Sequence, residues 1–274
     1  MIDKIIDTIH TNLDHWMTPH NLKSCLGYMD LTTLNTADTE KRVISFAEKV
    51  NKFNESFPEY PVPAAICVYP NWGATVKENL LADGVKVAVV AGGFPNSQTF
   101  LDVKLLECRM AVGQGADEVD IVLPLNKFLF GDYDGTAAEI KAIKEVIGER
   151  HLKVILETGA LGGVENIEKA SYLAMEAGAD FIKTSTGKQE PAATPVAAIV
   201  MCNCIKEFYK STGKRIGFKP AGGISTAKDA ISYLAIVDTV LGKEWLNKQL
   251  FRIGASRLAN SLLSELEKKT IGYY

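Results

Sequence analysis

Eight short apolar runs, rich in β-branched residues, recur along the 274-residue chain, and stretches with helical spacing separate them. The runs occupy residues 27–33, 64–69, 86–90, 118–123, 153–158, 181–186, 217–219 and 251–253. Helical stretches between them include TEKRVISFAEKVNKF, SQTFLDVKLLECRMAV, DGTAAEIKAIKEVI and VENIEKASYLAMEA. Alternating strands and helices predict a parallel sheet, and runs such as KVAVV indicate a sheet that is covered on both faces. Eight such units within about 250 residues fit a (β/α)8 TIM barrel.

The main alternative is an open, doubly wound α/β sheet, which would carry a glycine-rich phosphate loop after its first strand. No such loop follows residues 27–33, and Gly113-Gln-Gly115 precedes a strand, so it is interpreted as a turn. Two similar segments, AVGQGADEVDIV and AMEAGADFIKT, each combine a helix end, a glycine suited to a left-handed C-cap and a strand. This repetition favours the barrel.

We predict one α/β domain over residues 1–274, with an extra N-terminal helical extension at 1–23 and a C-terminal tail at 269–274. No linker, low-complexity tract or break in composition divides the chain. The first residues, MIDKIIDTIHTNLDHWM, mix acidic and apolar side chains in a helical rhythm, unlike a signal peptide.

The composition bounds the possible partners. The 30 Lys and Arg residues nearly balance the 33 Asp and Glu residues, so charge does not indicate a nucleic-acid or membrane partner. No apolar run approaches the roughly 20 residues that span a bilayer. The five cysteines are an odd number, and Cys202 and Cys204 lack a second pair to complete a metal site. We therefore expect a soluble, cytoplasmic protein with reduced thiols and no metal.

Charged residues interrupt several of the apolar runs near their carboxyl ends, which in a parallel barrel face the active-site mouth. They are Asp30, Asp120, Glu157, Lys183 and Lys219. A charge inside a barrel is costly unless it is paired, and a buried lysine responds by losing its proton more easily.

Lys183 and Lys219 lie at similar depths on the predicted sixth and seventh strands. Two ammonium groups about 5 Å apart repel by roughly 3 kcal/mol at an effective dielectric of about 20, enough to lower one pKa by about two units. The resulting neutral amine could attack a carbonyl and form a Schiff base. Asp120 and Asp30 could pair with the lysines, accept protons or orient a water. The alternative is a purely structural ion-pair network of these four side chains.

Glycines follow three consecutive predicted strands, in the segments TSTGK, KPAGGIST and RIGAS. Barrels often bind phosphate in the loops after the last two strands, through backbone N–H groups and a helix N-terminus. Turns also require glycine, so one such loop would be weak evidence. Three of them beside a candidate Schiff-base lysine favour a small phosphorylated carbonyl compound as the substrate.

These segments resemble the deoxyribose-phosphate aldolase family of class I aldolases. The similarity extends from residue 28 to 256 through YMDLTTL, AAICVYP, VVAGGFP, GADEVDIVLPLN, LKVILETG, AGADFIKTSTGK, GFKPAGGI and RIGAS. The resemblance implies reversible cleavage of 2-deoxy-D-ribose 5-phosphate to D-glyceraldehyde 3-phosphate and acetaldehyde, in the catabolism of deoxyribose phosphates. It also implies a homodimer that uses neither a metal nor an organic cofactor.

The resemblance also assigns roles to individual residues. By similarity, Lys183 forms the Schiff base and Lys219 is the neighbour that lowers its pKa. Asp120 resembles the proton-shuttling carboxylate, and Asp30 resembles a partner of Lys219. Positions that match the substrate and phosphate site are Thr32, Thr186, Gly187, Lys188, Gly222, Gly223, Gly254 and Ser256.

Two features of the chain depart from the family pattern. Arg257 stands where a second serine is expected after Ser256, so phosphate contacts there are expected to differ. Tyr274 matches a C-terminal tyrosine that reaches the site in some members, although the tail sequence IGYY differs from theirs. Two alternatives stay open at this point: a Schiff-base aldolase for another sugar phosphate, and a non-catalytic barrel that binds sugar phosphates.

Overall fold

The computed structural model describes residues 2–274, and its eight parallel strands follow one another around a barrel. The strands are β1 (Met29–Thr32), β2 (Ala65–Val68), β3 (Lys86–Val90), β4 (Glu118–Val122), β5 (His151–Ile155), β6 (Phe181–Lys183), β7 (Gly217–Lys219) and β8 (Ile253–Ala255). β1 pairs with both β2 and β8. β7 and β8 join through two isolated bridges, between Phe218 and Phe251 and between Ala221 and Gly254. The predicted barrel is confirmed.

The eighth strand differs from its predicted position. The sequence predicted residues 251–253, whereas β8 spans Ile253–Ala255. Phe251 instead forms the bridge to Phe218, and the backbone N–H of Arg252 donates to the Phe218 carbonyl at 3.1 Å. Phe251 therefore belongs to the junction that closes the barrel between β7 and β8. Pairing with β1 begins two residues later, at Ile253.

Thirteen α-helices occur in the described part of the chain. They are α1 (Ile2–Thr11), α2 (Leu13–Trp16), α3 (Pro19–Gly27), α4 (Glu40–Asn51), α5 (Phe53–Ser56), α6 (Gly73–Asn79), α7 (Leu101–Gly113), α8 (Leu125–Phe130), α9 (Tyr133–Ile147), α10 (Val164–Glu176), α11 (Pro195–Thr212), α12 (Ala227–Val240) and α13 (Leu258–Glu267). The four helical stretches predicted from spacing correspond to α4, α7, α9 and α10. The N-terminal helices pack on α11, α12 and α13. Within residues 2–274, no helix is long and apolar enough to cross a membrane.

The repeated GAD segments perform the same local task twice. Gly115 and Gly178 adopt positive φ angles of 95° and 106° at the ends of α7 and α10, a conformation that glycine tolerates. The aspartate two residues later accepts a hydrogen bond from the N–H of the neighbouring strand: Asp117 from Val87 at 2.9 Å, and Asp180 from Leu152 at 2.8 Å. The repetition therefore encodes the junction between each helix and the next strand.

Alternation along the strands separates two apolar layers. On β2, Ile66 and Val68 belong to the large core between the strands and the helices. Ala65 and Cys67 belong to a second, small cluster together with Ala88 and Val90 of β3. Because these inner side chains are small, this side of the barrel leaves room for the long side chains that β5, β6 and β7 direct inward.

The contact between β6 and β7 yields a test of the fold. A Cβ atom at Gly217 would lie 2.2 to 2.5 Å from ring carbons of the buried Phe181, so Gly217→Ala overpacks the core. We expect a loss of about 1–3 kcal/mol in the free energy of unfolding, measured by chemical denaturation. Gly113→Ala is the control, because no heavy atom lies within 4 Å of its Cβ position. Equal stability of the two variants would contradict this packing.

Candidate active site

Seven ionisable side chains are buried together inside the barrel. Four are basic and three are acidic: Lys153, Lys183, Lys219 and Arg252, with Asp30, Glu118 and Asp120. None is more than 4% exposed. Burial of so many charges is tolerated only when each is paired and hydrogen-bonded, and the contacts below meet that requirement.

Asp120 is the centre of the upper part of this cluster, which lies nearer the carboxyl ends of the strands. Its Oδ2 accepts hydrogen bonds from Lys183 Nζ at 2.8 Å and from Lys219 Nζ at 2.7 Å. Its Oδ1 accepts from Lys153 Nζ at 3.0 Å. Because two of these bonds end on one oxygen, the ammonium groups of Lys183 and Lys219 lie within about 5.5 Å of each other. The β6–β7 register pairs the two lysines directly, as the sequence predicts.

The lower part of the cluster lies nearer the amino ends of the strands. Glu118 precedes Asp120 by two residues on β4, so both point inward. Glu118 accepts from Lys153 at 2.5 Å and from both terminal nitrogens of Arg252, at 2.8 and 3.1 Å. Asp30 accepts from Arg252 at 2.6 Å and from Lys219 at 2.5 Å. Each buried carboxylate therefore has at least two cationic donors.

These contacts shift the ionisation of the lysines in opposite directions. Burial lowers the pKa of Lys183, Asp120 counteracts this effect, and the charge of Lys219 lowers the pKa further. Burial also acts to lower the pKa of Lys219, but Asp120 and Asp30 outweigh it and the pKa is raised. Burial and the neighbouring ammonium were both expected from the sequence to lower the pKa of a lysine at this position, and for Lys183 burial is the larger cause.

The pKa of every other member of the cluster is shifted in the direction that favours its charged form. Although burial disfavours the charged form, Lys153, Lys183 and Lys219 hold the pKa of Asp120 well below its usual range. The carboxylates that contact Lys153 and Arg252 raise the pKa of both basic groups, against the effect of burial. Lys183 is thus the one basic group of this cluster whose pKa is lowered.

A pocket of about 230 Å³ opens at the carboxyl ends of the strands, and Lys183 lies in its lining. The eight residues predicted to hold the substrate and phosphate all line this pocket: Thr32, Thr186, Gly187, Lys188, Gly222, Gly223, Gly254 and Ser256. Asp30, Asp120 and Lys219 lie beneath it, fully buried. The barrel thus brings the predicted residues together, except for Tyr274.

The pocket depends on glycine at two close contacts. Gly187 and Gly222 have φ angles of 74° and 87°, and a Cβ at Gly222 would lie 3.0 Å from Gly187 Cα and 2.6 Å from Ala192 Cβ. The two loops therefore meet backbone to backbone. At Gly254, a Cβ would lie 3.1 Å from Lys219 Cε. This glycine makes room for the buried lysine beneath the pocket.

Two further cations stand at the rim of the pocket. Lys188 is exposed, and its ammonium donates to the carbonyl of Leu34 across the mouth at 2.7 Å. Arg257, which replaces the expected serine, lines both this pocket and an adjoining cavity of about 840 Å³. Thr32 and Ser256 also line both spaces, so the two are neighbours.

Tyr274 lies outside the pocket, in the docked C-terminal tail. Its ring stacks on Phe53 with a centroid distance of 5.9 Å and contacts the edge of Phe46. The side chain of Asn260 accepts from the N–H groups of Tyr273 and Tyr274 and donates to the Tyr274 carbonyl. The phenol oxygen is buried without a hydrogen-bond partner in the described structure, although the residue lines the 840 Å³ cavity.

Glu118, Lys153 and Arg252 were not predicted from the sequence as members of the site. A usable signal existed for Glu118, since it shares the inward face of β4 with Asp120. Glu157 was noted as a charged strand end but given no role. It adopts a left-handed conformation with φ 54°, and its carboxylate accepts from Thr186 Oγ1 at 2.6 Å and from Thr186 N–H at 3.2 Å. Glu157 therefore fixes the loop that follows Lys183.

The chain matches known proteins over nearly its whole length. Residues 25–259 match the model of the DeoC/LacD family aldolases. Human deoxyribose-phosphate aldolase is 42% identical over 269 residues, which cover 94% of this chain and 84% of the human protein. The mouse enzyme of that name is also 42% identical, over 93% of this chain and 81% of its own.

A solved structure adds evidence for the fold. The tetrameric deoxyribose phosphate aldolase of Aeropyrum pernix superposes with a TM-score of 0.68 at 26% identity. The match covers 93% of this chain and 95% of the Aeropyrum pernix chain. On the family match and these identities, the chain belongs to the DeoC/LacD family of aldolases.

Proposed function

We propose that this aldolase reversibly cleaves 2-deoxy-D-ribose 5-phosphate to D-glyceraldehyde 3-phosphate and acetaldehyde through a Schiff base on Lys183. One observation carries the proposal: Lys183 lines the mouth pocket while its amine shares a single carboxylate oxygen of Asp120 with Lys219. A basic group whose pKa is lowered, and which is open to a pocket, is suited to nucleophilic attack. The names of the human and mouse relatives support the choice of substrate.

The balance of buried charge supports a neutral Lys183. The cluster contains four basic groups and three carboxylates, so full ionisation leaves one uncompensated positive charge in the barrel. Such a charge is costly at low dielectric, and the group that gives up its proton at least cost is the one whose pKa is lowered. With Lys183 neutral, three cations balance three anions.

In the proposed reaction, the Lys183 amine attacks the aldehyde carbon of the open-chain sugar and water leaves to form an iminium. The iminium withdraws electrons from the bond between C2 and C3, and removal of the proton from the C3 hydroxyl releases glyceraldehyde 3-phosphate. The remaining enamine takes up a proton at C2, and water then releases acetaldehyde. We assign the proton transfers to Asp120 acting with a water, because its Oδ2 already contacts the amine.

Other pocket residues are assigned to binding. The phosphate fits the loops that contain Gly187, Gly222 and Gly223, because glycine tolerates the positive φ angles found there and adds no side chain to the backbone. Lys188 and Arg257 supply positive charge at the same rim. Thr186, which Glu157 positions, and Thr32 are assigned to the sugar hydroxyls.

We further propose that the protein acts in the cytoplasm, in the degradation of deoxyribose phosphates, and that it forms a homodimer. Its five thiols are all buried and free, which fits a reducing compartment.

An aldolase for a different sugar phosphate is the second candidate, because the family model is shared by more than one kind of aldolase. Release of acetaldehyde from deoxyribose 5-phosphate in the presence of EDTA tests substrate, reaction and metal independence together.

The Schiff base can be tested by chemical trapping. Borohydride added with acetaldehyde should leave an ethyl group on Lys183, located by peptide mass spectrometry. Lys183→Met should abolish both trapping and cleavage while keeping its melting temperature, because methionine preserves the balance of buried charge. Lys183→Arg should instead lower the melting temperature, since it adds a permanent cation. Trapping at another lysine, or equal stability of the two variants, would refute the assignment.

The pH dependence of trapping tests the role of Lys219. Since the neutral amine reacts, trapping should fall as pH decreases through the pKa of Lys183. Lys219→Met removes the neighbouring positive charge. It also leaves Lys183 and Lys153 as the lysines that contact Asp120. Both effects raise the pKa of Lys183. The acid limb should therefore move to higher pH.

Lys153→Met serves as the matched control for this experiment. It removes a cation from the same cluster but from the other oxygen of Asp120. We therefore expect a smaller displacement of the acid limb. Circular dichroism should verify that both variants fold. If the two variants shift the limb equally, or if neither does, Lys219 has no specific influence on Lys183.

For Tyr274 we propose a part in proton transfer after the tail leaves its docking site. A buried hydroxyl without a partner costs about 1–3 kcal/mol, which favours its release towards the adjoining cavity. Tyr274→Phe should raise the melting temperature slightly and lower kcat by about ten-fold or more. Asn260→Ala, which removes the contacts that dock the tail but keeps the phenol, should retain most of kcat. Full kcat in Tyr274→Phe would limit the tail to a packing role.

A further inference from the structure

Two hydroxyl groups of the mouth pocket donate their hydrogen bonds to the protein itself. Thr32 Oγ1 donates to the carbonyl of Asp30 at 2.8 Å, and Thr186 Oγ1 donates to the carboxylate of Glu157 at 2.6 Å. A carbonyl and a carboxylate have no proton to give, so the hydrogen of each contact belongs to the threonine. Both threonines line the pocket, and each therefore presents only lone pairs to a ligand.

Glu157 holds Thr186 at two points. Its second oxygen accepts from the backbone N–H of Thr186 at 3.2 Å, and only 4% of Glu157 is exposed. Thr186 Oγ1 in turn accepts from the N–H of Lys188 at 3.0 Å. A hydroxyl has one proton and two lone pairs, so a single lone pair of Thr186 remains for a ligand.

The backbone of Glu157 indicates that this contact has a function. Its φ angle of 54° is unfavourable for a residue that has a Cβ atom. Such conformations persist where the surrounding structure holds them, and they are concentrated at active sites and ligand contacts. Thr32, by contrast, donates to a backbone carbonyl, which no substitution removes. The polarity of Thr186 therefore depends on one side chain, and a substitution can change it.

This polarity determines which substrate hydroxyl Thr186 can hold. During the proposed cleavage, the C3 oxygen changes from a hydroxyl to a carbonyl, which has no hydrogen to donate. The C4 hydroxyl keeps its hydrogen, both in the sugar and in glyceraldehyde 3-phosphate. It also lies next to C5, which carries the phosphate, and Thr186 directly precedes Gly187 of the proposed phosphate loop. The C4 hydroxyl therefore matches Thr186 throughout the reaction.

We propose that Glu157 is a positioning residue that keeps Thr186 as a hydrogen-bond acceptor, so that the pocket selects phosphorylated sugars with a hydrogen-bond donor at C4. A hydroxyl at C4 can donate to Thr186. An ether, ketone or fluorine there would instead turn a lone pair towards the lone pair of Thr186, and neither acceptor would find a partner. The assignment to C4 rests on the proposed function, whereas the polarity of Thr186 does not.

Glu157→Gln should reverse this polarity without changing the shape of the site. An amide has an oxygen that accepts and an NH2 group that donates. If the amide oxygen faced Thr186 Oγ1, the NH2 group would oppose the Thr186 N–H, and two donors would meet. In the opposite orientation, the oxygen accepts from the N–H and the NH2 group donates to Oγ1. Because the Lys188 N–H occupies the other lone pair, Thr186 then directs its own proton into the pocket.

The test uses three ligands that cannot form a Schiff base. They are the alcohol obtained by reducing D-glyceraldehyde 3-phosphate, its 2-deoxy analogue, and its 2-fluoro analogue of the same configuration. Carbon 2 of each ligand corresponds to C4 of the sugar. Dissociation constants are measured by calorimetry on the full chain. The wild type should bind the hydroxyl ligand about ten-fold more tightly than the deoxy ligand, and the fluoro ligand least tightly.

Three variants complete the experiment. Glu157→Gln should bind the fluoro ligand at least as tightly as the deoxy ligand, and it should still prefer the hydroxyl ligand, since a hydroxyl can also accept. Thr186→Val should bind the hydroxyl and deoxy ligands equally. Thr186→Ser is the matched control, because it keeps a hydroxyl beside Glu157, and it should retain the wild-type order. Circular dichroism should verify that all three variants fold.

The proposal fails on any one of three results. They are a wild type without preference among the ligands, a Thr186→Val variant that keeps the hydroxyl preference, and a Glu157→Gln variant that weakens all three ligands by the same factor. The last result would limit Glu157 to supporting the loop.

A separate measurement on the wild type distinguishes this inference from the proposed reaction. Borohydride trapping of acetaldehyde is carried out on the same protein samples. If the ligand order holds but no adduct forms on Lys183, the proposed reaction fails while the role of Glu157 stands. If the adduct forms but the ligand order is absent, the reaction stands and the role of Glu157 fails.

Discussion

Asp120 links the fold to the chemistry, because its two oxygens hold three lysines from three strands. An ammonium in the interior of a barrel is stable only beside a carboxylate. These contacts therefore determine which side chains of β4, β5, β6 and β7 face the barrel interior. The small side chains of β2 and β3 are the steric counterpart, since they leave the volume that the long lysines occupy. The stability of the barrel and the reactivity that we propose for Lys183 therefore depend on the same group of atoms.

Much of this arrangement could be predicted from the sequence, because it follows from short-range periodicity. Strands and helices are distinguished by their spacing, and eight parallel strands have one compact closure. Once the strands are placed, the depth of Lys183 and Lys219 follows from their positions in FIK and GFK, and the glycines after them must lie at the same mouth. The observed register of β6 and β7 confirms the first of these inferences.

Features that depend on long-range contacts could not be predicted. Arg252 reaches Asp30 and Glu118, which are 222 and 134 residues away in sequence, and it lies in the closure between β7 and β8 rather than within a strand. Because of the same closure, β8 begins two residues later than predicted from the sequence. Docking of the tail depends on the Asn260 side chain, a polar residue in an amphipathic helix without any distinguishing pattern. The extent of burial, which dominates the pKa of Lys183, also exists only in the folded chain.

The balance of charge in the barrel has a consequence for the direction of the proposed reaction. Three cations and three anions are balanced while the amine is neutral, so formation of the iminium places one extra positive charge in a desolvated cluster. An iminium in that environment is a stronger electron acceptor than one in water, since Asp120 is already shared with two other lysines. Cleavage of the carbon–carbon bond converts the iminium to a neutral enamine and restores the balance. In the mechanism that we propose, the surplus of one basic group thus favours the bond-breaking step over a stable covalent adduct.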